Sequence, residues 1–195
     1  MDETEEIEYV EYSDESMLND VKMLVSKDLS EPYSVFTYRY FLHNWPQLCI
    51  CAYAVPKATN YGGEISSKRK IVATIVCKLE GHENKHGVQS GYIAMLAVDK
   101  SYRKRGIGLK LATLGIDKMI SFGCLEVVLE AEASNAGALS LYTKLGFVKE
   151  EKLARYYLNG GDAFRLKLWI DKVPTKAETT IEDNQQVQDH TVTVS

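Results

Sequence analysis

Tyr102-Arg103-Lys104-Arg105-Gly106-Ile107-Gly108 sets three cations and two glycines side by side. The run lies between an apolar stretch, residues 91–98, and a stretch with helical periodicity that begins at Ile107. A strand that runs through such a loop into a helix presents backbone N–H groups with no intrahelical partner, at the positive end of the helix dipole. That is anion-binding chemistry. Gly106 and Gly108 carry no Cβ, so the backbone can approach a ligand closely. Arg103, Lys104 and Arg105 add charge at the same mouth, and pyrophosphate is the group this chemistry fits. Two standard phosphate motifs fail on spacing. No Gly-Lys-Ser/Thr follows a longer glycine spacing, as a P-loop needs. Leu111 stands where a dinucleotide fingerprint needs its third glycine. A basic Gly-x-Gly loop alone is also an ordinary turn, so the elements around it must decide.

Those elements are legible. Residues 91–98 are apolar on both faces, as in a central strand. Ile107, Leu111, Leu114 and residues 116–120 recur at helical spacing, and Gly123 stands where that helix should stop. Residues 125–130 read as a further strand. Asn135 opens a second helix carrying Ala138, Leu139, Leu141, Tyr142 and Leu145; Gly146 closes it, and Phe147 leads into a strand. Upstream, residues 7–12 predict a first strand. Asp14-Glu15-Ser16 caps a helix bearing Met17, Val21, Leu24 and Val25. Residues 33–42 predict an aromatic-rich helix, 48–55 a strand, 56–70 a polar loop and 71–79 another strand, with a hairpin turn leading to Gly91. Downstream, residues 148–157 and 164–170 read as the last two strands, joined at the turn signal Asn159-Gly160-Gly161-Asp162. Residues 172–195 lack a hydrophobic period and read as a flexible arm, with a partner-docking segment as the alternative.

Bulk properties narrow the function. A chain of 195 residues is long enough for one well-buried domain. A net charge of −4 opposes a general nucleic-acid binder. No stretch reaches the length of a transmembrane helix. The acidic start, Asp2, Glu3, Glu5 and Glu6, is opposite to the basic start of a signal peptide. The expectation is a cytoplasmic protein with no membrane and no direct nucleic-acid partner. Cys49, Cys51, Cys77 and Cys124 form no Cys-x-x-Cys pair or zinc spacing and read as buried reduced thiols. His82, Glu83 and His86 lie between Gly81 and Gly87 and read as a solvated turn, so no metal is assigned.

The motifs, taken in order, carry a resemblance. Arg103-x-x-Gly106-x-Gly108, then Asn135, then Leu141-Tyr142-x-x-Leu145-Gly146-Phe147, resembles the GNAT acetyltransferases. A narrower resemblance, to the catalytic subunit of the NatC N-terminal acetyltransferase, rests on six blocks. They are Asp28-Leu-Ser-Glu-Pro-Tyr-Ser34, Tyr38-Arg-Tyr-Phe41, Asn44-Trp-Pro46, Gly91-Tyr-Ile93, Met95-Leu-Ala-Val98 and Arg155-Tyr-Tyr-Leu-Asn-Gly160. It runs over about residues 7–170. It implies an α/β fold: a single GNAT acyltransferase domain over residues 7–171, between an acidic extension (1–6) and the polar tail (172–195). Its sheet should be mixed and largely antiparallel, with a splayed central strand pair flanked by helices. The implied reaction moves acetyl from acetyl-CoA to the α-amino group of nascent protein N-termini that begin Met-Leu, Met-Ile, Met-Phe or Met-Trp. The implied partners are two NatC auxiliary subunits and, indirectly, the ribosome. Acetylation of lysine side chains or small amines is an alternative, opposed by the Leu29-Ser-Glu-Pro-Tyr33 block. A CoA-binding subunit without turnover is a second, opposed by the retention of Glu130 and Tyr142.

The same resemblance distributes roles. The backbone of Leu96, Ala97 and Val98 would hold the pantetheine arm, with an amide near Leu96 facing the thioester carbonyl. Arg103, Lys104, Arg105, Gly106, Ile107 and Gly108 would hold the pyrophosphate. Asn135 would contact the cofactor, or serve only as a helix N-cap, which needs the same residue type. Tyr142 would stand beside the CoA sulfur, or be a core aromatic. Glu130 would be the base acting through a water, with Glu132 on the same face and Ala131 in place of the usual threonine. Leu29, Glu31 and Tyr33 on one side, and Tyr156 and Tyr157 on the other, would flank the peptide, with Tyr92 lining its pocket. Ala154 stands where similar sequences carry phenylalanine. Exposed parts of residues 33–45 would offer a docking surface, unless the helix simply turns its aromatics inward.

Overall fold

The computed structural model describes residues 5–28, 33–56, 69–81 and 89–170. In chain order these form β1 (Glu5–Glu11), α1 (Leu18–Asp28), α2 (Val35–Asn44), β2 (Cys49–Pro56), β3 (Lys70–Glu80) and β4 (Ser90–Val98). After them come α3 (Ile107–Ser121), β5 (Glu126–Glu132), α4 (Ala136–Lys144), β6 (Val148–Leu153) and β7 (Ala163–Trp169). The strands make one sheet in the order β1-β2-β3-β4-β5-β7-β6. Every neighbouring pair is antiparallel except β4 and β5. That exception follows from α3, which carries the chain back across the sheet between them. The fold is therefore the mixed, largely antiparallel α/β sheet that the sequence implies.

Each face of the sheet buries its own core. Val21, Val25, Tyr38 and Leu42 from α1 and α2 pack with Tyr53, Val76, Met95 and Ala97. Leu111, Ala112, Ile116 and Met119 of α3 pack on the opposite face with Ile75, Ile93, Val127, Leu129 and Leu166. All four cysteines are buried and unlinked. No helix among the described residues is long and apolar enough to cross a membrane.

Local signals explain the element ends. Asp14 accepts from the Ser16 N–H and caps a 3-10 turn that leads into α1. Ser34 caps α2 by accepting from the Thr37 N–H, so this helix starts at Val35 rather than at Tyr33. One predicted strand is too long. β6 stops at Leu153, and residues 154–162 form a turn in place of a strand reaching Tyr157. Arg155 there takes a left-handed φ of 51°, which no strand tolerates. The expectations for residues 1–4, Leu29 and Glu31, the body of the 56–70 loop (57–68), His82, Glu83 and His86, and the tail from 171 lie outside the described residues.

Two irregularities shape β4. Across β3, Cys77 faces Ile93 and Val76 faces Met95, so Ala94 is an extra residue, a β-bulge. The bulge inverts the side-chain alternation: Ile93 points into the α3 core, and Met95, two residues on, into the α1–α2 core. The second irregularity is on the other edge. β4 and β5 pair only at Ser90–Glu126, Gly91–Val127 and Tyr92–Val128, and then diverge. β5 continues along β7 as far as Glu132. The result is a V-shaped cleft between the C-terminal ends of β4 and β5.

Gly91, in the last paired stretch, lies under Met119 of α3; a Cβ there would collide with the buried thioether. Gly91→Ala is expected to destabilise the fold by about 1–3 kcal/mol through overpacking. Thermal unfolding checks this, at roughly 2–4 °C of Tm per kcal/mol for a domain of this size.

Candidate active site

At one mouth of the cleft the chain turns from β4 into α3. Asp99 accepts from the Ser101 N–H at 2.9 Å and caps the turn Lys100–Tyr102; that N–H holds its carboxyl below the usual carboxylate range. Lys104 (φ 60°) and Gly106 (φ 80°) both sit in the left-handed region. Gly106 accepts this freely, whereas Lys104 must be held there by its surroundings. Gly106 is the N-cap residue of α3 and offers no side chain, so no cap covers the helix's first N–H groups. A Cβ on Gly108 would come within 3.2 Å of Leu141 on α4 and 3.3 Å of Val98 on β4. The start of α3 is thus wedged between β4, one arm of the cleft, and α4, the helix that follows β5.

The basic side chains are partly engaged. The Arg103 Nε–H donates to the Val98 carbonyl at 3.1 Å and ties the loop to the strand end. The Arg105 guanidinium lies over the Tyr102 ring, 4.7 Å from its centroid, and Lys70 lies 5.1 Å from the same ring. The Tyr102 hydroxyl donates to Glu5 at 2.9 Å, which fastens β1 to the loop. Asn135 does what a cap does: its Oδ1 accepts from the Ala138 N–H at 3.0 Å and starts α4. On α4, Tyr142 is 5% exposed and packs edge-on against Phe147. Burial, and then the fields of Cys77 and Tyr157, push its phenol well above the ordinary tyrosine range. It stays protonated at neutral pH and is available as a donor.

Glu130 occupies the other arm of the V. Its side chain is 7% exposed and held at both ends. Tyr92 on β4 donates its hydroxyl to Oε2 at 2.7 Å, and Arg165 on β7 donates its Nε–H to Oε1 at 2.9 Å. The Tyr92 hydroxyl thereby bridges the diverging strands. Burial first, and the Glu130 charge second, push its phenol far up. Tyr157 is raised by burial and by the fields of Tyr156, Tyr33, Glu130 and Glu132. Tyr92 is thus hydrogen-bonded to Glu130, Tyr157 lies within reach of the fields of Glu130 and Glu132, and Tyr33 and Tyr156 lie near both of these phenols. The rings of Tyr156 and Tyr157 meet edge-on at 5.1 Å. Of the residues assigned to peptide contact, only Leu29 and Glu31 lie outside the described residues. Leu96, Ala97 and Val98 line the β4 arm past the point where pairing with β5 ends.

Arg165 was not singled out from the sequence. The alternation Phe164-Arg-Leu-Lys-Leu-Trp169 puts Arg165 and Lys167 on one face of a strand, but only the β5–β7 register sets Arg165 opposite Glu130. Beside this pair, Ser90 donates to Glu126 at 2.9 Å, and Lys167 bridges Glu126 at 3.4 Å and Glu150 at 2.9 Å. A cavity of about 300 Å³ opens along this ionic face, with Tyr92 and Glu130 in its lining.

The tyrosine-bearing turn hangs on Asp162. Its carboxylate accepts from the Arg155 N–H at 2.9 Å and pairs with Lys152 at 2.8 Å, while its carbonyl accepts from the Ala133 N–H. Lys152 and then the Arg155 N–H hold the carboxyl below its usual range. The folded value is the depressed one, so this support is complete above the ordinary carboxylate range and is lost as pH falls through the folded value. In Asp162→Ala, amide exchange in residues 154–162 is expected to quicken about tenfold or more while β5 and β7 stay protected. Acidification of the unaltered protein should produce the same local loosening, and exchange mass spectrometry checks both.

Comparison with known proteins shows the family of the chain. The model of the acetyltransferase (GNAT) family matches residues 18–147. N-alpha-acetyltransferase 30 of Homo sapiens is 52% identical over 164 residues, 84% of this chain; the chain spans 41% of that relative's length. N-alpha-acetyltransferase MAK3 of Arabidopsis thaliana is 48% identical over 182 residues, covering 91% of this chain and 87% of the relative. A crystal structure of the NatC complex bound to Gag peptide and CoA contains a chain with a TM-score of 0.74 and 42% identity. That match covers 85% of this chain and 99% of the other. The chain belongs to the acetyltransferase (GNAT) family, alongside the N-alpha-acetyltransferases 30 and MAK3.

Proposed function

We propose that the protein transfers acetyl from acetyl-CoA to the α-amino group of protein N-termini that begin with methionine and a hydrophobic residue: Met-Leu, Met-Ile, Met-Phe or Met-Trp. It would act as the catalytic subunit of a NatC-type complex. The observation that carries this reading is the cleft with two unlike mouths. An uncapped, glycine-opened helix start with basic neighbours lies at one, and buried Glu130, hydrogen-bonded to Tyr92 with Tyr157 nearby, lies at the other. The relatives' names and the peptide- and CoA-bound NatC neighbour support the same activity.

Each step has a residue. The incoming terminus is an ammonium with an ordinary pKa of about 8 and must lose a proton before it attacks. Glu130 takes that proton through a water; each of its oxygens keeps a lone-pair direction beyond the bonds to Tyr92 and Arg165. The amine nitrogen then bonds to the thioester carbon, and the negative charge that develops on the carbonyl oxygen is met by a backbone N–H near Leu96. The C–S bond breaks and the thiolate receives the Tyr142 proton, while the new amide nitrogen sheds its second proton, which returns through solvent to restore the phenol. The first turn of α3, with Arg103, Lys104 and Arg105, holds the pyrophosphate. Leu29, Glu31, Tyr33, Tyr92, Tyr156 and Tyr157 form the peptide pocket, where phenols offer apolar area and a polar tip together. Glu132 is the alternative base on the same face of β5.

Phe36 and Tyr40, 76% and 51% exposed and one turn apart on α2, give two auxiliary subunits an apolar surface to cover. Tyr38 and Leu42 turn inward from the same helix. Work in the cytoplasm on nascent chains, with the ribosome reached through those subunits, completes the proposal.

A peptide-library acetylation assay, with and without auxiliary subunits, tests it. Met-hydrophobic termini should be acetylated and internal lysines or polyamines should not; the reverse preference rejects the reading, and cofactor binding without product favours a non-catalytic subunit. Tyr142→Phe should lower kcat by about 10–100-fold with little change in peptide KM. Glu130→Gln should depress the rate across the working pH range, and wild-type rates there would move the base to another group.

A further inference from the structure

We infer that Arg165 is a positioning residue for the acetyl-transfer step: its Nε–H fixes the orientation and charge of the Glu130 carboxylate on which proton removal depends. This rests on the function proposed above. A carboxylate 7% exposed loses most of its water, and burial of a charge is unfavourable unless a partner compensates. Tyr92 supplies one hydrogen bond but no charge. Arg165 supplies both, across the β5–β7 ladder, where Glu130 and Arg165 stand directly opposite. A guanidinium suits this role because its planar fork fixes direction as well as charge. Its other arm reaches Glu151 on β6 at 3.4 Å, so the cation is itself anchored from the edge strand.

Other groups face Glu130, and none replaces Arg165. On β5 itself Glu126 and Glu132 share its face and repel it. Lys167, next on the same face of β7, is committed to Glu126 and Glu150. From β3, Lys78 lies over the Tyr92 ring, 5.0 Å from its centroid, and pairs with Glu80. Tyr157 brings a phenol but no cation from the 154–162 turn, with Tyr33 and Tyr156 near it. Arg165 is the cation in direct contact with Glu130 among the described residues.

The test compares wild type, Arg165→Met, Arg165→Lys and Glu151→Gln, each in the full chain with its auxiliary subunits. The readouts are kcat and both KM values from about pH 5 to about pH 9, and the crystallographic position of Glu130. In Arg165→Met the acid limb of the kcat profile should move up by about one pH unit or more, since an unpaired buried carboxylate favours its neutral form. At neutral pH kcat should fall about tenfold, with KM for acetyl-CoA unchanged and the Glu130 carboxylate turned away from Tyr92. Arg165→Lys should restore part of kcat. Glu151→Gln, which removes charge from the same cluster without touching Glu130, should leave the limb in place or move it down. A wild-type profile and an unmoved Glu130 in Arg165→Met would overturn the inference, as would equal upward shifts in Arg165→Met and Glu151→Gln. If Arg165→Met does not fold, Arg165→Lys decides: full wild-type kcat overturns the inference, and reduced kcat at unchanged peptide KM supports it. The crystal structures need no turnover. An inactive wild type would therefore reject the proposed activity while the Arg165–Glu130 coupling is still decided by the position of Glu130.

Discussion

Two parallel strands that stop pairing after Tyr92 and Val128 set up everything else in this molecule. Backbone polar groups seek partners, and a ladder left early presents them to whatever enters the gap. Three features keep the gap open. The Ala94 bulge turns the end of β4, the α3 start wedges Gly108 between Val98 and Leu141, and the Tyr92–Glu130 hydrogen bond holds the two arms at their fork. Parting the strands also separates two kinds of chemistry. One arm runs into an electropositive helix mouth, and the other ends at carboxylates and phenols. A fully paired sheet would bring the two environments against each other and leave no space between them.

The sheet is apolar where helices cover it and ionic where they do not. α1 and α2 cover β2, β3 and the end of β4, so Tyr53, Val76 and Met95 face them. On the same face of β5 and β7 stand Glu126, Glu130, Arg165 and Lys167, each answered across the ladder by the opposite charge. Such pairs contribute little net stability once desolvation is counted, but losing one member leaves a buried charge with no compensation. They define geometry more than they stabilise it.

The sequence showed most of the scaffold, because periodicity and punctuation are local. The run 91–98, the helix from Ile107 and the stops at Gly123 and Gly146 need no tertiary information. The shortened β6 was missed because the Asn-Gly-Gly-Asp signal marks a turn without saying where it begins. Its start is set by Arg155 in a left-handed conformation and by Asp162 reaching back to Lys152 and Arg155. Arg165 was illegible for a related reason. Its alternation on β7 is plain, but its partner depends on the register of strands far apart in sequence. Asn135 shows the opposite case: one residue type satisfies two roles, and only the observed bond to Ala138 establishes the capping one.

The four thiols carry a practical consequence. Burial pushes Cys49 up to about 12 and Cys51 and Cys124 up to about 11, and Cys77 also lies well above the ordinary thiol value. The thiolate is the form that reacts with an alkylating reagent. In the native state these sulfurs are shielded by packing and protonated at once, so modification must wait for the core to open. Labelling rates then become a clock for rare excursions of the whole domain: Cys49 and Cys51 time the core under α1 and α2, and Cys77 and Cys124 time the one under α3.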